Sequence, residues 1–146
     1  MAEADSRQAG LFAAAFLLGC VAAAESVNTI TPATPVGAFG IVDGDGRPHP
    51  IARVFGDLTQ AAGRPRLAVA NPCPGRLAAV AAAMPDGPAL GIANLAAQPV
   101  NVRIIGPACT RIRLIDAEGV GTGNIKESTM PDNLVRLDSY AICHVR

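Results

Sequence analysis

The sequence predicts an all-β protein, a small antiparallel β-sandwich of immunoglobulin-like architecture, preceded by an N-terminal apolar helix. Three observations predict it. Fifteen Gly and twelve Pro are spread without a fixed period through 146 residues, leaving few windows long enough for a helix of ordinary length. The second half alternates apolar and polar residues with period two, the habit of an antiparallel sheet with one face buried and one wet. From Gly10 to Ala24 the chain reads GLFAAAFLLGCVAAA, without a charge or a strong hydrogen-bonding side chain. A helix that is apolar on every face does not belong in water.

The apolar segment, residues 1–25, supports three readings of location. Ala22-Ala23-Ala24 before Glu25 supplies the small residues that a signal peptidase cuts behind, as in a cleaved secretory signal. Leu17-Leu18-Gly19-Cys20 resembles the bacterial lipobox, which makes Cys20 the lipidation candidate. A retained membrane anchor is the third. The run is shorter than the roughly 20 apolar residues of a free-standing span, so Ala13, Ala14, Ala15 and Gly19 would pack it against partner helices, small residues allowing close approach. The plain alternative is a buried core helix. Under the first three, the rest of the chain lies on the exported side of a membrane, periplasmic or secreted.

Residues 26–36 (SVNTITPATPV) read as an extended Thr/Pro linker. The sandwich domain then occupies residues 37–146. Ala38–Val42 leads into Asp43-Gly44-Asp45-Gly46, a strong turn signal, and Ile51–Phe55 follows, which reads as a hairpin. Arg66–Ala70 is a short strand before the proline loop Asn71–Gly75. Arg76–Met84 (RLAAVAAAM) is open to both forms: its Ala content favours a helix, while Pro74-Gly75 before it and Pro85 after it limit its length. A strand is the reading, with one or two helical turns as the alternative. Ala89–Leu95, Val100–Ile105, Arg111–Asp116 and Leu134–Leu137 alternate cleanly. Val100, Val102 and Ile104 point one way and Asn101 and Arg103 the other, while Ile112 and Leu114 oppose Arg111 and Arg113. Gly119–Gly123 reads as a hairpin loop, and Tyr140–Val145 as a terminal strand built into the sheet.

Twelve Lys and Arg balance twelve Asp and Glu, which argues against nucleic acid, a partner that rewards a basic stripe. Half the residues are hydrophobic, yet there is no Trp, one Tyr and four Phe, too few aromatic faces for carbohydrate or base stacking. Four cysteines stand at 20, 73, 109 and 143. In an oxidising compartment the last three imply one disulfide and one odd thiol. Cys109–Cys143 would tie the terminal strand to the preceding sheet, and Cys73–Cys109 is the other candidate pairing.

No pattern of chemistry emerges from the remaining motifs. His49 and His144 show no metal-ligand spacing, and no Met follows Cys143-His144, as a copper loop would require. The Asp43–Gly46 turn has Arg47 and Pro48 where a calcium loop wants an oxygen ligand and a Gly. No Lys-Ser/Thr follows the Gly119–Gly123 run, as a phosphate loop would need. Asp138, Ser139 and His144 share a segment, but strand geometry sends Ser139 and His144 to opposite faces. The sequence therefore reads as a non-enzymatic exported or membrane-tethered sandwich. It would present an interaction surface to a protein partner, as an accessory or structural subunit of an envelope assembly, without a cofactor or a metal. The alternative is a small secreted enzyme, or an enzyme inhibitor, whose site the sequence does not display.

Overall fold

The computed structural model describes residues 2–26, 28–31, 34–37, 40–107, 111–122, 126–128 and 132–146. Among them the elements run α1 (Ala2–Ala23), β1 (Thr34–Val36), β2 (Gly40–Val42), α2 (Pro50–Ala61), β3 (Arg66–Leu67), β4 (Leu77–Met84) and β5 (Gly87–Asn94). β6 (Val100–Arg103), β7 (Ile112–Ile115), α3 (Ala117–Thr122), β8 (Lys126–Ser128), β9 (Leu134–Leu137) and β10 (Ile142–Val145) complete the order. A six-stranded sheet in the order β3-β4-β5-β10-β7-β8 forms the centre. The β6–β9 ribbon packs on one face of it, and α1 and α2 on the other.

The all-β expectation fails on α2 first. Ile51–Phe55 is no strand: Ile51, Val54, Phe55 and Leu58 recur at three and four residues and join the core as one helical stripe. Pro50 opens the helix where its missing N–H costs nothing, and His49 stands before it with an extended backbone. The expected hairpin partner of β2 is therefore a turn and a helix. Asp43 Oδ1 accepts hydrogen bonds from the amides of Asp45 and Arg47, each at 2.8 Å, and fastens that turn. These amides, Arg47 foremost, hold the Asp43 carboxyl below its ordinary range. β1 lies at the end of the expected linker and pairs with β2 in parallel. Gly119–Gly123 is also not a hairpin loop over its described part. α3 occupies it, and Asp116 Oδ1 accepts from the Gly119 amide at 2.7 Å, a capping bond that a helix start requires.

The strands of the second half lie where alternation placed them. β6 pairs with β9 so that Val100 faces Leu137 and Val102 faces Val135, and these join Ile92, Ile112, Cys143 and Val145 in one apolar layer. The β6–β9 ribbon keeps its expected wet face, with Asn101, Arg103 and Arg136 exposed, but the central sheet has none. The opposite face of the central sheet carries Ala78, Ala93, Ile115 and Ile142, and all four are buried under α1 and α2. Arg113 lies on that covered face, where it meets a carboxylate of α2.

Arg76–Met84 resolves as strand from Leu77 onward, although Ala favours helix. In β4, Ala78, Val80 and Ala82 stand in register with Ala93, Gly91 and Ala89 of β5. Together they make a floor of small side chains. Leu11, Ala14, Ala15, Leu17 and Leu18 of α1 pack on this side of the sheet or against α2, each at most 5% exposed. A Cβ added to Gly91 would lie 3.4 Å from Leu18. A bulkier floor would hold the helix off. The β4–β5 turn closes over Pro85 and Asp86 into Gly87, whose φ of +122° suits a residue without a Cβ.

Two polar devices complete the frame. Arg66 on β3 donates to the carbonyls of Ala24 at 2.6 Å and Ala22 at 2.9 Å. It supplies the cation that the last turn of α1 lacks. Asn94, fully buried at the end of β5, donates to the carbonyls of Gln98 at 2.8 Å and Asp138 at 2.9 Å, and its Oδ1 accepts from the Ala96 amide. One side chain thus holds the β5–β6 turn and the β9–β10 connection together.

Two outcomes follow. Asn94→Ala leaves these part-buried carbonyls without their donor and should lower stability by about 1–3 kcal/mol, read from the shift in urea midpoint at an unchanged slope. Removing residues 1–25 strips the cover from the Ala/Gly floor. The shortened chain should bind a hydrophobic dye and lose its cooperative thermal transition, whereas the expectation of a free-standing sandwich would have it melt normally.

Candidate functional site at the helix–sheet contact

Outside the turns, ionisable side chains meet below α2. Asp57 sits on the sheet-facing side of that helix, one residue before Leu58 and three after Val54, both of which pack in the core. Its Oδ2 accepts from Nη2 of Arg113 on β7, in an ion pair whose partners are 18% and 26% exposed. His144 on β10 stands beside them because β10 pairs with β7 so that His144 faces Arg113. Its Nδ1 lies 3.3 Å from Arg113 Nη2 and 3.9 Å from Asp57 Oδ1. An Arg nitrogen only donates, so Nδ1 accepts, and the imidazole is neutral with its proton on Nε2. Arg146 closes the row by donating to Gln60 Oε1 at 2.8 Å.

Burial is the first reason that His144 is held below the ordinary histidine range. The Arg113 and Arg146 charges push the same way, and Asp57 opposes them. The crevice at this cluster, lined by Leu18, Leu58, Val80, Gly91 and others, has room for about 40 Å³. That admits water and not an organic substrate. A wider open depression of about 520 Å³ lies at the β6–β9 end, lined by Arg103, Ile104, Ile105, Asp132, Asn133 and Leu134. Ile105 there is 93% exposed. Among the described residues no three His, Cys, Asp or Glu side chains converge as a metal site would require.

The residues singled out from sequence land as follows. His49 is half-buried at the start of α2, with Nε2 3.3 Å from the Gly37 carbonyl. Cys73 is exposed in a loop held by Asn71, whose Oδ1 accepts from the Cys73 amide and whose Nδ2 donates to the Leu77 carbonyl. Cys143 is fully buried in the β10 layer. Cys109 lies outside the described residues, and so does the one expected disulfide, whether paired with Cys143 or with Cys73; no disulfide joins Cys20, Cys73 and Cys143 to one another. Cys20 is exposed on α1. Of the small residues on that helix, Ala14 and Ala15 are buried within this chain, Gly19 approaches Leu95, and Ala13 points outward. No helix among the described residues is long and apolar enough to cross a membrane.

Sequence reasoning missed Asp57 and with it the cluster. The signal was there, in the helical spacing of Val54, Asp57, Leu58 and Ala61, but a strand reading of Ile51–Phe55 hides it.

Lowering the pH should reveal the state of His144. The unfolded chain takes up a proton near pH 6.5, and the folded protein only at a lower pH. Stability from this residue is therefore complete above about pH 6.5 and falls as pH drops toward the folded value. Urea midpoints measured between pH 7.5 and 5.5 should fall in the parent, and His144→Asn should flatten that slope.

With the geometry in place, comparison with known proteins gives the chain its setting. Residues 1–63 match the family model described as D-apionate lactonase, TIM barrel domain. Residues 74–145 match D-apionate lactonase, C-terminal immunoglobulin-like domain. Among curated proteins, none matches the chain. A solved structure of a glycoside hydrolase family 30 subfamily 8 xylanase from Clostridium acetobutylicum aligns at a TM-score of 0.62 and 12% identity, over 95% of this chain and 38% of that one. A conserved exported protein from Bacteroides fragilis aligns at 0.56 and 9%, over 71% of this chain and 23% of that one. The chain thus spans well under half the length of these structures, whose likeness is one of fold. The expectation of a non-enzymatic interaction module is overturned here, since both family models describe domains of an enzyme. Absent clusters of titratable groups did not exclude an enzyme-type domain, because barrels gather their reactive groups from the ends of several strands far apart in sequence. The expectation of a plain β-sandwich is corrected in the same way: the immunoglobulin-like part is similar to one domain, and the helices before it are similar to part of a barrel.

Proposed function

We propose that this chain serves in a lactonase of the D-apionate lactonase kind, as the portion where barrel helices are clamped to the immunoglobulin-like domain. The carrying observation is that two models of one family match in succession along the chain, while the residues they match share a single core. Leu11, Ala14, Ile51 and Val54 come from the barrel-like part, and Ala78, Ala93 and Ile142 from the sandwich-like part.

A closed barrel of this type takes eight strands and roughly 250 residues, and its reactive groups stand at the strand ends. β1 and β2 are three residues each, so the strand ends that do the chemistry would come from polypeptide outside residues 1–146. In such a reaction water adds to the ring ester carbonyl, the ring C–O bond breaks, and the hydroxy acid released ionises and yields a proton. Asp57, Arg113 and His144 take no part in it. They fix α2 on the sheet and thereby hold the barrel part at a set angle to the sandwich.

Purification through a tag after Arg146, from the cells that make the protein, followed by a pH-stat assay on the lactone of D-apionate, tests this reading. Acid release at least about tenfold above the uncatalysed rate is expected. A folded preparation that opens the lactone no faster than buffer overturns it, and so does one that releases sugar from xylan while leaving the lactone intact.

A further inference from the structure

Between Ala9 and Ala23 the exposed positions of α1 are Ala9, Phe12, Ala13, Phe16, Cys20 and Ala23. They recur at three and four residues and so form one continuous stripe. The stripe lies opposite Leu11, Ala14, Leu17 and Leu18, which are buried against the protein itself. Phe12 is 49% exposed and Phe16 60%. Their rings stack at 6.1 Å, and Phe12 meets Tyr140 of the sandwich edge-on at 5.2 Å, so the aromatic row runs out from the sandwich onto the helix. A surface helix covering a sheet has one apolar face and one wet face. Over Ala9–Ala23 this one has two apolar faces and no wet one, the condition of a helix held between two apolar layers.

The sheet is the first layer. We propose that the second is the parallel-strand core of a barrel, supplied by polypeptide outside residues 1–146 and seated on the Phe12–Phe16 face. This rests on the lactonase reading above and gives it a contact. The occupant follows from the match of residues 1–63 to a barrel domain, since in such a barrel the helices lie against the outer apolar side of the strands. β1 and β2 leave that side of α1 uncovered.

Cys20 lies on the stripe and Cys73 in the Asn71–Leu77 loop, both exposed, which gives a reporter and a control. The 146-residue chain is treated with a maleimide, with and without the barrel domain of a D-apionate lactonase cut off where residues 1–63 would begin. Peptide mapping then reads each cysteine. The barrel should slow labelling of Cys20 by about tenfold or more and leave Cys73 unchanged. Phe16→Glu should abolish the protection while leaving thermal unfolding within a few degrees of the parent. Equal labelling of Cys20 with and without the barrel overturns the proposal. So does protection conferred by phosphatidylcholine vesicles, or by raising the concentration of the chain alone, which would assign the face to lipid or to a second copy. A second measurement does not depend on the truncated barrel. In protein purified from its own cells Cys20 should be protected and Cys73 open, and equal labelling of the two overturns the proposal there. Lactone opening without Cys20 protection would retain the lactonase reading and discard this contact. Protection without lactone opening would do the reverse.

Discussion

Where Leu18 of α1 passes over Gly91 of β5, helix and sheet stand so close that one added methyl group would touch the leucine at 3.4 Å. Most of the architecture depends on that closeness. It requires the floor of Ala78, Val80, Ala82, Ala89, Gly91 and Ala93, which two neighbouring strands present in register. It lets Leu11, Leu17 and Leu18 lose nearly all contact with water, a change that stabilises by about 1.5–3 kcal/mol for each such side chain. The same floor, stripped of α1, would be an apolar sheet face that α2 covers only in part. Helix and sheet therefore stabilise each other, and the central sheet is buried on both sides rather than one.

The charged contact under α2 becomes intelligible in that setting. A guanidinium on a covered sheet face is costly unless a carboxylate reaches it, and Asp57 does so from the helix above. The pair adds direction to an otherwise greasy contact: apolar surfaces slide, whereas Arg113 and Asp57 fit in one register of helix on strand. Burial first, and then the Arg113 and Arg146 charges, hold His144 beside them below the ordinary histidine range. The cluster resembles a reactive constellation in composition, yet its crevice admits little more than water.

A helix buried on one side and aromatic on the other joins these facts to the likeness found for the chain. The part that matches a barrel model and the part that matches an immunoglobulin-like model share one core. The helices of the barrel-like part form one half of the core, and the sandwich-like part forms the other. Forces on one part would reach the other through packed side chains rather than through a linker. The loop between them is itself pinned, since Arg66 holds the last carbonyls of α1.

Several features were determined by local sequence alone. The alternation of Val100, Val102 and Ile104 with Asn101 and Arg103 placed β6, because a strand sends successive side chains to opposite faces whatever lies beyond it. The uniform apolarity of Gly10–Ala24 placed a helix with no wet face for the same kind of reason. What would cover that helix was beyond the sequence, since lipid and an Ala/Gly sheet accept the same residues. Only the tertiary structure decided that one side of it is met by β4 and β5. It also decided that the Ala-rich Leu77–Met84 is strand, where register with β5 outweighs propensity. Arg113 was legible as a residue opposite Ile112 and Leu114, but not as half-buried in an ion pair, because its carboxylate lies 56 positions away on another element. The likeness to a barrel domain was hidden for a related reason. A barrel is defined by closure of eight strands, whereas residues 1–63, which match the barrel model, hold two helices and two three-residue strands among the described residues.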